Sequence, residues 1–481
     1  MSIGDSFRRS ARSAGRRTAL VWERRHISYQ ELDHRSDQAA SAFLGLGLHQ
    51  GDRVALLLET GPEFVEAYLG AAKAGLVVVP LNPRLHPREV AALLENAGAA
   101  VLLHAAAGAE AAAAAPAGVR SVAVPAVYDG LLAQAHGAPA TGPAWGDLLA
   151  LAYTSGTTGL PKGVAISHAN AAASAVNGIT AFGLNSGLRS VLFQPLAFHP
   201  LFIGHVLGPL LTGGQVMLLP RFDPAEYLDA VAAERATLLV HVPTTIRWVL
   251  EEQARQPRDL SSVGRLFTGG APITGALLAQ AERHFAHIIQ GFGLTEATNI
   301  VACTAANRPV DARDCGCALP CSELSIQDGE ICVRGEVVMQ GYWQNPTATA
   351  EALKAGWLRT GDLGELDEFG RLRVTGRKKE TIISGGVKIH ATDVEECIAT
   401  LPGVAEVAVI GVPDPEWGES VQAWVVPRPG AVLAEADVIR YCETHLARFK
   451  RPRRVVFAAA LPRNANGKVR KDLLRQQSMK E

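Results

Sequence analysis

The run Tyr153-Thr154-Ser155-Gly156-Thr157-Thr158-Gly159-Leu160-Pro161-Lys162-Gly163 sets hydroxyl and glycine residues in front of a lysine, directly after the apolar stretch 148–152. A strand that ends this way can wrap backbone N–H groups and hydroxyl oxygens around phosphate, with Lys162 adding positive charge. Lys162 is followed by Gly163 rather than Ser or Thr, so the spacing is not that of a Walker A loop. A polar surface turn has the same composition. Gly45-x-Gly47 lacks the third glycine of a dinucleotide fingerprint and follows a helical pattern, so it reads as a turn. Cys315, Cys317 and Cys321 lack paired Cys-x₂-Cys units and have no His-x₃-His after them, which fits core or loop residues better than metal ligands. His284 and His287, three apart on a predicted helix, read as an exposed face. Neither a Gly-x-Ser-x-Gly elbow nor a basic recognition helix occurs, which speaks against that class of hydrolase and against a helix-turn-helix regulator.

Holding such residues in place takes a scaffold. Short apolar runs alternate with longer amphipathic ones through the first three quarters of the chain, the pattern of crossover units on a largely parallel sheet. Strands are expected at 54–58, 76–80 and 100–104, with helices at 63–74 and 87–96 between them. The alanine tract 105–116 reads as a surface helix or variable connection. From 323 to 367 the segments shorten and gain turn residues, and strands at 325–327, 330–334 and 371–375 predict a small β region. The polar run Gly376-Arg377-Lys378-Lys379-Glu380 then precedes a stretch with its own strands (404–409, 422–426) and helices (393–400, 435–445). The expected fold class is α/β. A large N-terminal domain of layered sheets and helices, with a small β region, covers 1–378, and a small α+β C-terminal domain covers 379–481.

Composition narrows the function. Hydrophobic residues are 48% and charged residues 19% of the 481, which excludes a disordered scaffold. Lys and Arg number 46 against 47 Asp and Glu, so no global field draws the chain onto nucleic acid or anionic lipid, and any anion site must be local. Seven scattered cysteines do not describe a disulfide framework and point to a reducing, cytoplasmic compartment. The apolar stretch 197–220 is broken by His199, Pro200, His205 and Pro209, which predicts a buried loop and helix beneath a pocket rather than a membrane span.

Further motifs follow the hydroxyl-rich loop in order: Gly291-Phe292-Gly293-Leu294-Thr295-Glu296, Trp357-Leu358-Arg359-Thr360-Gly361-Asp362, Gly376-Arg377 to Lys379 with Ser384-Gly385-Gly386 and Lys388, and Leu461 to Lys468. On these the chain resembles the adenylate-forming superfamily of acyl-CoA synthetases, peptide-synthetase adenylation domains and luciferases. It looks most like the stand-alone acyl-CoA synthetases, from near Ile27 to Lys468. The resemblance implies ATP, Mg²⁺ and CoA as cofactors and cosubstrate. Thr154, Ser155, Gly156, Thr157, Thr158, Gly159 and Lys162 would hold phosphates, and Glu296 with Thr158 would bind Mg²⁺, a hard cation suited to oxygen ligands. Gly269, Gly270, Ala271, Pro272, Gly291, Phe292 and Gly293 would frame the nucleotide, Asp362 would take the ribose hydroxyls, and Arg377 and Lys388 would also reach the nucleotide. Lys468, with Thr295 and Glu296, would be catalytic, its ammonium placed between the attacking carboxylate and the α-phosphate.

The same resemblance implies an acid pocket at Phe198, His199, His241, Thr244, Thr268 and Thr298. It implies a hinge at Lys379 about which the C-terminal domain moves, and a CoA tunnel at Gly385, Gly386 and Trp417. Arg448, Lys450, Arg451, Arg453 and Arg454 form a basic run suited either to CoA phosphates or to a solvated face. Departures are Phe292 where tyrosine is usual, Glu380 where aspartate is usual, and Pro195-Leu196-Ala197-Phe198-His199, in which the histidine is displaced by one position or the loop is remodelled. The expected reaction is activation of a small carboxylic acid to its adenylate with release of pyrophosphate, then thioester formation with CoA. In the alternative, a stand-alone adenylating enzyme passes the adenylate to a carrier protein, an amine or another nucleophile. A monomer or homodimer without nucleic-acid or integral membrane association is expected. Substituting Lys468→Ala should lower adenylate formation by at least about a hundredfold while sparing thioester formation from supplied acyl-adenylate. Equal loss in both half-reactions, assayed separately, would contradict the role.

Overall fold

The computed structural model describes residues 1–135, 142–154, 161–271, 273–305, 311–463 and 469–479. Among them the strands form three sheets, of 14, 7 and 5 strands. The largest has a parallel half that runs Thr18–Trp22, Gln215–Leu218, Arg189–Leu192, Leu238–His241, Arg265–Gly269, Ile288–Gly293 in space. Its antiparallel half continues through Ile300–Cys303, Asp314–Ala318, Arg371–Arg377, Trp357–Leu366, Glu330–Arg334 and Glu323–Gln327. The short strands expected near 323–375 are therefore present. They hydrogen-bond onto the large sheet through Asp314–Ala318, a strand too rich in Cys, Gly and Asp to show an alternating pattern.

The second sheet runs Gly341–Tyr342, Lys162–Ser167, Leu148–Thr154, Val77–Pro80, Arg53–Leu57, Ala99–His104, Arg120–Ala123, parallel from Leu148–Thr154 onward. Its crossover helices, Pro62–Ala74 and Pro87–Ala97, lie where the apolar period predicts them. Helix Pro62–Ala74 is buried nearly all round, and small side chains let it approach helix Tyr29–Gly45: a Cβ on Gly70 would lie 2.6 Å from that of Ala39. Its buried charges are paired, Glu66 with Arg35 at 2.6 Å and Lys73 with Asp33 and Asp37 at 2.6 and 2.9 Å, so neither ion is left unpaired.

Helix His168–Phe182 joins the two large sheets. Ser167 and Asn170 cap its start reciprocally. Asn170 Nδ2 donates to the Glu336 and Val338 carbonyls, and Asn177, fully buried, donates to Ile300 O and Ser322 Oγ while accepting from Cys321 N–H. The stretch 197–220 forms the short helices His199–Phe202 and Gly208–Thr212 around a π-helical turn, Ile203–Leu207, almost wholly buried. Among the described residues no helix is long and apolar enough to cross a membrane. The alanine tract is a 3₁₀ turn, Ala106–Gly108, and a five-residue helix, Ala109–Ala113. His284 and His287 are exposed as expected but lie in the turn and loop after helix Gly275–Ala281, not on a helix.

The smaller C-terminal domain holds the five-stranded sheet of Val387–His390, Thr381–Ser384, Gly418–Pro427, Val404–Asp414 and Arg454–Phe457. Helices Ala391–Ala399 and Glu435–His445 pack on it through Val394, Ile398, Val438 and Cys442. Side chains bridge it to the large domain: Arg313 to Glu396 and, at 3.0 Å, Asp393; Arg247 Nη1 to Ala405 O at 3.0 Å; and Thr392 Oγ1 to Thr375 O at 2.8 Å. Because Asn177 satisfies three groups at once, one on strand Ile300–Cys303 and two in the turn before Glu323–Gln327, Asn177→Leu should destabilise the fold by about 3 kcal/mol, read from the urea midpoint. A loss below ~0.5 kcal/mol would show that the helix does not depend on these bonds.

Candidate active site

Leu148–Thr154 and Lys162–Ser167 form a hairpin in which Thr154 and Lys162 are register partners. Ser155, Gly156, Thr157, Thr158 and Gly159 at its tip lie outside the described residues, as do Pro272 and Lys468. The base of the hairpin is pinned. Trp343 N–H donates to Gly163 O at 2.7 Å, and a Cβ on Gly163 would meet Tyr153 and Trp343 at 3.2–3.3 Å. The Lys162 ammonium lies over the ring of Tyr342, 4.9 Å from its centroid.

Glu296 occupies a 3₁₀ turn, Thr295–Ala297, that follows strand Ile288–Gly293. Its carbonyl accepts from Met339 N–H at 2.9 Å, and its carboxylate Oε1 accepts from the Tyr342 hydroxyl at 3.0 Å. Burial first, and then the Glu296 charge, push the Tyr342 phenol above its ordinary pKa, so it stays a donor. Glu296 offers a hard carboxylate oxygen on the Lys162 side of the site, a donor set that fits Mg²⁺ beside phosphate. The next residue but one, Thr298, is fully buried at φ 65, its hydroxyl bonded to Val337 O at 2.6 Å. That hydroxyl braces the turn.

Asp362 and Arg377 face each other across strands Trp357–Leu366 and Arg371–Arg377, with Arg377 Nε 2.7 Å from Asp362 Oδ1. Burial works against the guanidinium's charge, but Asp362, then Glu380 and Glu296, hold its pKa above the ordinary value. Contacts thus join Lys162 to Tyr342 and Tyr342 to Glu296, and separately Arg377 to Asp362, with Arg377 feeling the Glu296 charge without touching it. The glycine strands lie beside it. Gly269 and Gly291 are register partners, a Cβ on Gly269 would lie 3.1 Å from Gly291 O, and Gly270 turns away at φ 76. Ala271 is exposed, and Phe292 packs partly buried beside Ala302 and Val301.

Of the expected acid-pocket residues, strand pairing brings His241 and Thr268 together, while His199 and Thr298 take other partners. His241 and Thr268 are register partners at the carboxyl ends of parallel strands, with Gln290 next in the row. His241 Nε2, Thr268 Oγ1 and Gln290 Oε1 are buried with no hydrogen-bond partner among the described residues. Phe193 and Tyr227 pack against His241, and Thr244 stands half-buried at the start of helix Pro243–Arg255. His199 instead turns into the core, where Nε2 meets the Tyr68 hydroxyl at 2.8 Å among Phe64 and Phe202, while Phe198 is 39% exposed. Burial drives the imidazoles of His199, His205 and His241 down to about 3, so each is neutral.

In the C-terminal domain Gly385 and Gly386, at φ 57 and 79, form the two-residue turn of the hairpin Thr381–Ser384/Val387–His390, a conformation that favours glycine at both places. A Cβ on Gly385 would strike the Trp417 ring at 2.6 Å, whereas Gly386 faces open space. Arg453 lies over Trp417, 5.1 Å from its centroid. Lys388 is exposed, and so is Lys379, in the 3₁₀ turn Lys378–Glu380. The basic run is partly engaged: Lys450 pairs with Asp393 at 2.6 Å, and Arg451 bonds Leu446 O and Glu443 O. Tyr342 and Gln290 were not singled out from the sequence. A lone aromatic after a glycine, and an amide in an apolar strand, carry no spacing signal.

The sequence model of the AMP-binding enzyme family matches residues 7–343, and that of the AMP-binding enzyme C-terminal domain matches 393–468. The chain belongs to this adenylate-forming family. A feruloyl-CoA synthase from Amycolatopsis sp is 38% identical over 482 residues, covering 97% of each chain. The long-chain-fatty-acid–CoA ligase FadD13 of Mycobacterium tuberculosis (strain ATCC 25618 / H37Rv) is 33% identical over 472 residues, 94% of this chain and 93% of that one. The crystal structure of ATP-bound MatB from Rhodopseudomonas palustris superposes with a TM-score of 0.92 at 30% identity, covering 99% of both chains.

A Cβ on Gly293 would lie 2.7 Å from Ile300 Cα and closer still to the Asn299 carbonyl oxygen. Gly293→Ala should therefore displace the Glu296 turn, costing about 3 kcal/mol and weakening ATP binding. Gly386→Ala, with open space but a left-handed φ, should cost only ~1 kcal/mol. Urea unfolding of the two variants checks the contrast, and equal costs would contradict it.

Proposed function

We propose that the protein is an AMP-forming acid–CoA ligase. The observation that carries the reading is the placement of Tyr342, whose ring takes the Lys162 ammonium and whose hydroxyl bonds Glu296, with the Arg377–Asp362 pair lying within the field of Glu296. Lys162 and the hairpin hydroxyls bind the β- and γ-phosphates, and Asp362, aligned by Arg377, accepts from the ribose hydroxyls. Glu296 would hold Mg²⁺, which when bound neutralises phosphate charge. The acid's carboxylate oxygen attacks the α-phosphorus, the bond to the β-phosphate oxygen breaks, and pyrophosphate leaves. Lys468 stabilises the charge that gathers as this happens.

In the second step a CoA thiol gives up its proton, its sulfur attacks the acyl carbon, and AMP departs. We assign the boundary to 378/379 with Lys379 as hinge, which is supported by the separate hydrogen-bonding of the C-terminal sheet and its attachment through side-chain contacts. Gly385 and Trp417, already in contact, would line the thiol's approach. The row His241, Thr268 and Gln290, with unpartnered polar atoms among aromatic rings, is the reading we favour for the acid pocket. It suits a carboxylic acid whose body is apolar and which carries a hydrogen-bonding group.

Incubating the protein with ATP, Mg²⁺ and a panel of aryl, arylalkanoic and aliphatic acids should give acid-dependent pyrophosphate and AMP, and an acyl-CoA once CoA is added. ADP in place of AMP would overturn the reading. Adenylate formation indifferent to CoA would move the acceptor to a carrier protein or amine.

A further inference from the structure

Tyr342 stands between the two charges of the proposed ATP site. Its backbone is fixed on both sides. Strand Gly341–Tyr342 pairs with Lys162–Ser167, and Trp343 N–H bonds Gly163 O on the hairpin, while Met339 N–H, three residues earlier, bonds Glu296 O at 2.9 Å. The segment 339–343 thus joins the phosphate hairpin to the Glu296 turn. Tyr342 N–H donates to Thr349 Oγ1 at 2.9 Å, and Gly341, at φ 146, lies so near Thr349 that a Cβ there would meet its Cγ2 at 2.8 Å. The ring is therefore held in place by its own strand and by the helix Pro346–Ala352 that carries Thr349.

What the side chain does with that position is specific. Its face takes the Lys162 ammonium at 4.9 Å from the centroid, and its hydroxyl, at the far end, takes Glu296 Oε1 at 3.0 Å. Among the described residues neither Lys162 nor Glu296 forms a salt bridge, although the two are opposite charges held by the same residue. In a partly desolvated cleft such charges attract strongly, and a direct pair would take the cation from the phosphates and the carboxylate from the metal. We propose that Tyr342 is a positioning residue that keeps Lys162 and Glu296 apart and separately aimed, one toward phosphate and one toward Mg²⁺. This rests on the ATP site proposed above. The ring supplies a cation–π contact that steadies the ammonium without neutralising it, and the hydroxyl fixes one carboxylate oxygen and leaves the other free.

Two substitutions separate the parts. Tyr342→Phe keeps the ring and loses the hydroxyl, so ATP affinity without Mg²⁺, measured by titration calorimetry in EDTA, should be unchanged. The Mg²⁺ concentration that half-saturates pyrophosphate exchange should rise about tenfold. Tyr342→Leu removes the spacer, and Mg²⁺-free ATP affinity should fall about fivefold or more as Lys162 is captured by Glu296. Adding Glu296→Gln to Tyr342→Leu removes the captor and should restore that affinity, a rescue that a purely structural tyrosine would not show. Equal Mg²⁺-free ATP affinity in the native protein and Tyr342→Leu, or no recovery in the double variant, overturns the role. If Tyr342→Leu does not fold, the Mg²⁺ requirement of Tyr342→Phe decides: a tenfold rise supports the role and an unchanged value overturns it. Absence of ATP binding by the native protein overturns the ATP site itself, whereas ATP binding intact in it and in both variants overturns only the assignment of Tyr342.

Discussion

The site is assembled from two sheets that, among the described residues, share no backbone ladder, and their register is the constraint on which its geometry depends. The Lys162 hairpin belongs to the seven-stranded sheet, while Glu296, Asp362 and Arg377 belong to the fourteen-stranded one or its turns. Among the ties between the sheets are the buried amides of Asn170 and Asn177 on helix His168–Phe182, and the segment 339–343, which pairs with strand Lys162–Ser167 on one side and bonds the Glu296 turn on the other. Apolar packing alone would tolerate sliding by fractions of an ångström. Fully satisfied buried hydrogen bonds do not, because each displaced donor or acceptor loses its partner far from water.

Burial sets the electrostatic character of the rest. The imidazoles of His199, His205 and His241 are neutral because no charge near them offsets their desolvation, so they act as hydrogen-bonding surfaces rather than as bases. Two charged clusters are compensated within the fold: Asp362 pairs with Arg377 across adjacent strands, and Lys73 is closed in between helices by Asp33 and Asp37. The C-terminal domain is held differently. Its core is complete in itself, and much of its attachment to the larger domain is polar and partly exposed, with Arg313 serving both Asp393 and Glu396. Contacts of that kind are worth little each, so the proposed hinge motion at Lys379 would break few strong interactions.

Much of this could be read before any coordinates. Apolar periodicity located the helices at 62–74 and 87–97 and the parallel strands around them to within a residue or so, because both elements are buried enough for their period to show. The hydroxyl-rich loop ending at Lys162 marks itself by residue type, whereas Glu296, Asp362 and Arg377 stand out only through the ordered motifs of the family resemblance, since a single carboxylate or guanidinium reads locally as a surface charge. Tertiary structure alone decided which of these meet. His199 and His241 look equivalent as buried histidines, yet strand and helix geometry send one to Tyr68 and the other to the row with Thr268 and Gln290. Tyr342 acquires its place only because a two-residue strand carries it onto the hairpin from 180 residues downstream of Lys162. Local sequence sets what each side chain can do. Its partner is set by long-range backbone pairing and burial, which leave no trace in local spacing.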